Sequence, residues 1–436
     1  MTGWLTFTAG GRAQDTLLQP AQMKKELSTN TVAGAALIDE LRWLKAEKVF
    51  VTSVSRRAED PFNAAAAVSV ITNEDIRRSG ARSIPDALRM APGLSVGQGQ
   101  ANQWAVASRG FAGSTGNFSD KLLVLVDGRT IYGNLLNGVD WQFRDYLLED
   151  IDRIEVIRGP GGTLWGANAV NGVINIITKS ARETEGGYAT SGAGVMERYF
   201  GSARYGAKVG ETGFVRFYGS YTDRSDFPTG SDGSQLYQGG FRADWEPGDL
   251  LLSWHGDYFH QNMSTVVGVP SPATPANFFP LAPTNYLYWG GNMVFTARRE
   301  FSDEADMQLR SSFDWTRKRE LGGKTDEYVM DLDFQHRFTL PLRQSVIYGL
   351  GYRYYPDRSQ NSAILTFDRP DRDFQLFSAF IQDEIELVPE RLWATVGSKF
   401  EHNDLTGFEV QPSARLRWSP AENQTVWSAV SRAIQM

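Results

Sequence analysis

The chain has no cysteine and only four histidines among its 436 residues. The absence of cysteine excludes a disulfide scaffold and any metal site built from thiolates. The histidines add little, because His255 and His260 are five residues apart and would point to opposite faces of one strand. No two histidines stand two residues apart. We therefore expect no resident metal ion and no cofactor.

Long apolar runs and an excess of positive charge are also missing. No stretch of about 18 apolar residues occurs, which excludes a transmembrane helix. The formal net charge of −7 argues against duplex nucleic acid as a partner. No nucleophile elbow precedes a helix, no H-E-x-x-H occurs, and the carboxylates of residues 371–384 are dispersed along predicted strands. The sequence therefore predicts that the protein is not an enzyme.

The N-terminal part of the chain is polar. Residues 1–13 contain "WLTFTAGGRAQD", which is typical of the end of a signal peptide, although the basic start and apolar core are missing. We interpret them as a signal-peptide remnant, with an ordinary disordered N-terminus as the alternative. Residues 14–60 then hold one short amphipathic helix, at about 32–45, and the strand-like "KVFVTSVSRR".

Residues 61–180 mix helices and strands. "ITNEDIRRSG" and "SIPDALRMAP" predict two short helices with capping residues at Thr72 or Asn73 and at Ser83. "KLLVLVDGRTIYG" predicts a hairpin around Asp-Gly, and "RIEVIRGP" and "GVINIITK" predict two more strands. Between those two strands lies the loop "GPGGTLWGANAVNG". It lacks the Lys-Ser/Thr and the following helix of a phosphate cradle.

From residue 186 onward, segments of about ten residues alternate in polarity. Met307, Leu309 and Phe313 fall on one face of a predicted strand, whereas Arg310 and Asp314 fall on the other. A soluble β-sandwich would alternate in the same way. Short turns at 210–213 and 247–249, a long connection at 262–292 and many aromatic residues near strand ends favour a transmembrane barrel instead.

Taken together, these motifs resemble the TonB-dependent outer-membrane receptors. The resemblance rests on "VFVTSVSRR", "VSVITNEDIRRSGARSIPDALRMAPGLSV", "SRGF", "LLVLVDGRTIYG" and "EDIDRIEVIRGPGGTLWGANAVNGVINIITK", which follow one another in the family's order. It implies an antiparallel membrane β-barrel at 186–436 with an N-terminal mixed α/β plug domain at 61–180. It also implies a place in the outer membrane of a diderm bacterium, in contact with outer-membrane lipid.

The same resemblance implies roles for particular residues. A TonB-contacting strand, the coupling segment, would comprise Val49, Phe50, Val51, Thr52, Ser53 and Val54. Docking of the plug onto the barrel would use Arg109 and Arg158 with Glu384 and Glu401. The plug hinge would contain Gly159, Gly161, Gly162, Gly166 and Gly172. Plug loops facing the ligand would present Gln100, Asn102, Trp104, Tyr132, Asn134, Asn137 and Trp141.

The barrel portion is shorter than the family's pattern. We count about a dozen strands after residue 186, whereas a barrel of this family has about 22. The chain stops within "WSAVSRAIQM", so we expect a receptor truncated at its C-terminus. The implied function is TonB-powered uptake of a scarce, bulky ligand, with an iron–siderophore complex placed first. A receptor for cobalamin or a glycan, and a truncated fragment without transport function, are the alternatives.

Overall fold

The computed structural model describes residues 51–53, 56, 64–101, 103–110, 121–133, 138–226, 231–268, 281–362, 365–421 and 424–435. The expectations for the signal-peptide remnant and the helix at about 32–45 lie outside these residues. So do those for Val49, Phe50, Val54, Asn102, Asn134 and Asn137. None of the described helices has the length and apolar character needed to cross a bilayer.

Two assemblies of strands make up the described chain, and the first is a small mixed domain. Its elements are β1 (Ala67–Thr72), α1 (Asn73–Ser79), α2 (Ile84–Leu88), β2 (Leu94–Gln100), β3 (Gln103–Ser108), β4 (Leu122–Val126), β5 (Arg129–Thr130), β6 (Ile151–Arg158), α3 (Gly162–Trp165) and β7 (Gly172–Thr178). Five strands form a sheet in the order β1-β6-β7-β4-β5, in which only β4 and β7 run parallel. Strands β2 and β3 form a separate hairpin.

Local sequence signals set the boundaries of these elements. Thr72 caps α1 in a capping box with Asp75, and Gly80 ends the helix at φ 72°. Ser83 caps α2 and accepts a hydrogen bond from the backbone of Asp86. Both residues of the predicted Asp-Gly turn have positive φ, 49° at Asp127 and 77° at Gly128. That geometry joins β4 to β5 as a tight hairpin, so these predictions are confirmed.

The core of the small domain lies on both faces of its sheet. All five residues of β4, "LLVLV", are buried, as expected for a strand covered on both sides. One face carries Val124, Ile154 and Ile174 against the helices, and the other carries Leu125 and Val173. Residues of the small domain itself cover both faces, with the helices on one side and Val51, Tyr132 and Trp165 on the other.

The second assembly is one antiparallel sheet of 13 strands among the described residues. Each strand pairs with its neighbours in sequence. The strands are β8 (Gly186–Gly192), β9 (Glu197–Val209), β10 (Gly213–Arg224), β11 (Ser234–Trp245), β12 (Leu250–Gly268), β13 (Leu281–Ser302), β14 (Ala305–Glu320), β15 (Gly323–Leu340), β16 (Gln344–Gln360), β17 (Asp371–Val388), β18 (Leu392–Asn403), β19 (Gly407–Ala421) and β20 (Gln424–Ser431).

Most of these strands are longer than the ten residues expected, with 22 residues in β13. The predicted long connection at 262–292 is wrong for most of its length, because β12 and β13 stay paired out to Gly268 and Leu281. Apolar and polar residues need to alternate only where one face of a strand meets lipid. Strand residues that extend beyond the bilayer lack this alternation, so their sequence resembles that of a loop.

The two faces of the large sheet differ as predicted. Leu309 and Met330 are 40% and 46% exposed, whereas Arg310 and Asp314 are buried. The polar face is turned toward the small domain: Gln261 donates to the carbonyl of Gln142 at 2.8 Å. The apolar face is therefore the outer one, which is the arrangement of a membrane barrel.

Candidate functional site

A cavity of about 240 Å³ lies between the small domain and strands β14 to β18. The small domain contributes Tyr132 and Trp165, while the sheet contributes cations and carboxylates. These charged residues include Arg310, Asp331, Asp333, Arg353, Lys399 and Glu401. The cavity also reaches the connection between β16 and β17, where Phe367 and Arg369 line it. It thus combines aromatic and charged groups at the boundary between the two assemblies.

Beneath this cavity, the short segment Val51–Ser53 is held by the small domain. Val51 and Ser53 are buried, and the backbone N–H groups of Thr52 and Ser53 donate to the Glu155 carboxylate at 2.8–3.0 Å. Asn175 donates to the Ser53 hydroxyl at 3.0 Å. Hydrogen bonds from two consecutive amides to one carboxylate are strong, so Glu155 fixes the segment against β6 and β7.

Arg56 links the segment to the cavity and to the sheet. Its guanidinium donates to Asp333 at 3.3 Å, to Gln335 at 3.0 Å and to the carbonyl of Leu164 at 2.8 Å. It also stacks 4.7 Å from the ring of Trp165. Trp165 in turn donates its indole N–H to the carbonyl of Ser53 at 2.8 Å. A displacement of the segment would therefore also displace Trp165 and Arg56, which line the cavity.

A set of aspartates on the small domain meets cations on the sheet. Asp140 contacts Lys318 at 2.6 Å, and Asp145 contacts Arg224 at 2.9 Å. Asp150 lies between Arg204 and Arg216. These groups are largely buried, so losing one partner would leave an uncompensated charge.

Asp127 belongs to the same set and lies near Arg242 and His255, at 3.8 Å from each. Burial alone would raise the pKa of Asp127. The charges of His255 and Arg242 and two hydrogen bonds from Thr178 outweigh burial, so this pKa lies below its ordinary value. The carboxylate thus stays ionised in its buried position.

Family models match almost the whole of the described chain. The TonB-dependent receptor plug domain matches residues 60–173, and the TonB-dependent receptor-like β-barrel matches residues 180–436. The chain belongs to the TonB-dependent receptor family. The small domain is its plug, the large sheet is its barrel portion, and its place is the outer membrane of a diderm bacterium.

Curated relatives carry two kinds of names. The chain is 35% identical over 170 residues to the vitamin B12 transporter BtuB of Vibrio vulnificus, covering 37% of this chain and 27% of that protein. It is 30% identical over 194 residues to the iron-regulated outer membrane virulence protein of Vibrio cholerae, covering 42% of this chain and 28% of that protein. The chain thus spans about a third or less of the length of these relatives.

Solved structures share the fold. A ferric enterobactin receptor (PfeA) mutant from Pseudomonas aeruginosa superposes with a TM-score of 0.68 at 19% identity, over 84% of this chain and 61% of that one. The siderophore receptor PirA from the same organism superposes with a TM-score of 0.64 at 20% identity, over 85% of this chain and 64% of that one.

The predicted docking pairs do not form in the receptor. Arg109 donates to the carbonyl of Arg158 at 3.1 Å, and Arg158 donates to Ser69 at 3.2 Å. Glu401 instead accepts from the backbone of Ala167 at 3.2 Å, and Glu384 lies on the membrane-spanning strand β17. Within the described chain, neither arginine forms an ion pair with either glutamate. The arginines fail to reach the wall because both stay within the plug.

The ion pairs that join plug and barrel involve other residues and run in both directions. Asp140, Asp145 and Asp150 of the plug meet barrel cations, whereas Arg129 of the plug meets Asp314 of the barrel. None of these pairs was predicted from the sequence. A usable signal was present in residues 138–150, where Asp140, Asp145 and Asp150 stand among apolar residues outside any predicted strand. Buried aspartates in a stretch without regular strands indicate an external charged partner.

The hinge glycines of the plug serve two different purposes. Gly159 and Gly166 have positive φ, at 127° and 84°. The other three are needed for close approach. A side chain at Gly172 would meet the carbonyl of Ile157, one at Gly162 would meet Gln411 of the barrel, and one at Gly161 would lie 2.8 Å from Val173. Movement of this loop as a hinge stays a prediction.

The structure contradicts the expected ligand-facing role of two tryptophans. Trp104 and Trp141 are 6% and 5% exposed and belong to the apolar core of the plug. An aromatic residue among amide side chains is typical of a binding surface in a sequence. Here the rings of Trp104 and Trp141 instead pack in the core of the plug. Tyr132 is also buried, yet it lines the cavity. Gln100 pairs with Gln103 at the end of the β2–β3 hairpin.

The described residues contain no cluster of three or more carboxylate or histidine side chains placed to hold a metal ion.

Proposed function

We propose that this receptor takes up a scarce, bulky ligand across the outer membrane, powered by the TonB protein, and that the ligand is an iron–siderophore complex. The observation that carries the proposal is the arrangement around Ser53. The buried segment Val51–Ser53 and the cavity share Trp165 and, through it, Arg56. A pull on the segment would therefore act directly on the cavity wall.

The chemistry of the segment supports coupling to TonB by strand addition. A partner that adds as a strand requires free backbone donors and acceptors. The amides of Thr52 and Ser53 are engaged by Glu155, so the segment must leave Glu155 before it can pair with a partner. Once it leaves, Trp165 loses its acceptor, the carbonyl of Ser53. The plug loop that carries Trp165 then becomes free to move away from the barrel.

The lining of the cavity supports a strongly polar ligand. Arg310, Arg353 and Lys399 present cations, each beside a carboxylate (Asp333, Asp331 and Glu401 respectively), and Tyr355 adds an aromatic hydroxyl. Such groups suit a metal chelate with ionised oxygen donors. Cobalamin is the second candidate, because curated relatives that this chain resembles are named vitamin B12 transporters.

The test is uptake by cells that lack their own siderophore and cobalamin receptors and produce this chain. We expect accumulation of a radio-iron siderophore only when TonB is present. Thr52→Pro removes an amide donor from the segment and should abolish uptake while leaving ligand binding intact. Thr52→Ala, which keeps the backbone amide of the segment, is the matched control.

The outcomes separate coupling from ligand choice. If the cells accumulate cyanocobalamin but no iron–siderophore complex, the proposed ligand is wrong, whereas the proposed coupling to TonB still stands. Uptake that persists without TonB would overturn the coupling. An absence of any uptake would favour the fragment without transport function.

A further inference from the structure

An aromatic side chain of the plug is inserted into a pocket in the barrel wall. Phe143 ends a 3₁₀ turn of the plug and is 1% exposed. Its ring stacks on that of Phe259 in β12, with centroids 4.6 Å apart and planes 4° from parallel. The ring of Tyr288 in β13 lies 5.4 Å away, and Leu236 and Met263 complete the pocket. Buried aromatic residues in well-packed pockets contribute most of the attachment between two surfaces, so Phe143 anchors the plug to β11–β13.

The residues on either side of Phe143 also bind the barrel. Gln261 of β12 donates to the carbonyl of Gln142 at 2.8 Å. The guanidinium of Arg144 lies 5.3 Å from the centre of the Phe143 ring, and it approaches Asp314 of β14 at 3.9 Å. The anchor therefore combines apolar burial with polar contacts that surround the ring.

A second apolar contact joins the plug to another part of the wall. Leu164 of the glycine-rich loop is 1% exposed and packs against Ile347 of β16 and Phe380 of β17. The neighbouring Thr163 donates its hydroxyl to the carbonyl of Gln411 in β19 at 3.2 Å. The plug is thus held by apolar contacts on two sides, and the cavity, which β16 and β17 help to line, lies on the side of Leu164.

The coupling segment is linked to this second contact. Arg56 donates to the carbonyl of Leu164 at 2.8 Å, and the adjacent Trp165 donates to the carbonyl of Ser53 at 2.8 Å. Among the described residues, no hydrogen bond of the segment reaches the pocket of Phe143. A pull on the coupling segment therefore acts directly on Leu164, whereas it reaches Phe143 only through the body of the plug.

We propose that Phe143 is the positioning residue that keeps the plug attached to β11–β13 during transport, while the contact at Leu164 is released. The plug then tilts about Phe143, and the passage for the ligand opens along β15–β18, where the cavity already separates plug and wall. Ion pairs of Asp140, Asp145 and Asp150 bind the plug to β9, β10 and β14, and they strengthen the attachment on the anchored side. This inference rests on the proposed uptake function.

The test ties each side of the plug to the barrel, which is possible because the chain has no cysteine of its own. The variant Gln142→Cys/Gln261→Cys ties the anchored side, and Thr163→Cys/Gln411→Cys ties the other side. Both pairs are in hydrogen-bond contact across the boundary between plug and barrel. A short reducible thiol cross-linker joins each pair in cells that lack their own siderophore and cobalamin receptors. Uptake is measured before and after addition of a reductant.

We expect the tether on the anchored side to leave uptake of the radio-iron siderophore unchanged, because that contact persists during transport. The tether on the other side should lower uptake on the order of tenfold or more, and the reductant should restore it. Any other pattern, such as a loss of uptake with both tethers, would overturn the inference. An untethered parent that takes up neither siderophore nor cobalamin would contradict the proposed function, and a second measurement then decides the inference.

The second measurement needs no transport. Gln261 and Gln411 are both 0% exposed, so Gln261→Cys and Gln411→Cys report detachment of the plug on the two sides. In the purified full chain in detergent and mild urea, we expect a maleimide to label Gln411→Cys about tenfold faster, since local opening is easiest where the fewest contacts must break. Phe143→Ala should raise the labelling of Gln261→Cys to the rate at Gln411→Cys. Equal rates in the presence of Phe143, or a difference that Phe143→Ala leaves unchanged, would refute the anchor.

Discussion

At the scale of single residues, Gly172 shows what a missing side chain does. It begins β7, and a Cβ at this position would meet the carbonyl oxygen of Ile157 and lie 3.2 Å from Leu122. Both neighbours belong to paired strands and cannot move far. We therefore expect Gly172→Ala to lower the free energy of unfolding by about 1–3 kcal/mol, the usual effect of overpacking. Urea unfolding in detergent, followed by tryptophan fluorescence, measures this change.

Gly97→Ala is the control for that substitution. Gly97 is also on a plug strand, but a Cβ there has no atom within 4 Å. The two variants should differ in unfolding midpoint even though they add the same methyl group. Equal midpoints would mean that β6 and β7 can separate freely at Gly172.

Individual contacts of this kind were only partly predictable from the sequence. The caps at Thr72 and Ser83 depend on neighbours within three residues, and the sequence predicted them. The partners of Arg109 and Arg158 depend on how the plug sits in the barrel, which no local pattern encodes. The same reason explains Trp104, whose ring could have faced either a ligand or the plug core.

At the scale of elements, the segment Val51–Ser53 should respond to the charge of Glu155. Glu155→Gln keeps the shape of the side chain but replaces one acceptor oxygen with a donor, and it weakens hydrogen bonds that a carboxylate had made strong. Because the chain has no cysteine, Val51→Cys is a unique and initially buried reporter. We expect its labelling by a maleimide to accelerate at least tenfold in the Glu155→Gln background.

Glu74→Gln provides the comparison, since Glu74 is on the surface of α1 and pairs with Arg77 and Arg78 of the same helix. Labelling of Val51→Cys should not change with it. If both glutamine variants label at the parent rate, Glu155 does not retain the segment.

Element types followed from the sequence more readily than element lengths. The alternation around Leu309 and Met330 identified the outer face of the sheet, because lipid selects apolar residues there. Strand ends beyond the membrane lack that selection, and the extended pairing of β12 with β13 was not predicted for this reason.

At the scale of the whole molecule, buried charge pairs hold the plug in the barrel. Asp150 lies between Arg204 and Arg216, and all three side chains are at most 11% exposed. Asp150→Asn would leave two buried guanidinium groups without a counter-charge, which typically costs about 3–5 kcal/mol. We expect faster amide hydrogen exchange in β6 and β7, measured by mass spectrometry of the detergent-solubilised chain.

Asp152→Asn is a suitable reference because Asp152 is two residues away and more exposed, at 37%. It pairs with the adjacent Arg153, and exposed pairs contribute little. Exchange in β6 and β7 should stay at the parent rate in this variant. A similar acceleration in both variants would show that the charge of Asp150 has no special role in docking.

The strictly sequential pairing of β8 to β20 has a consequence for how length changes are tolerated. Every strand takes its register from the strands immediately before and after it, so an insertion in one connection leaves every other pairing unchanged. The plug differs, because its contacts join residues that are far apart in the sequence. Thr52 and Glu155, for example, are 103 residues apart. Connections at the cell surface can therefore diversify one at a time, while the plug must vary as a unit.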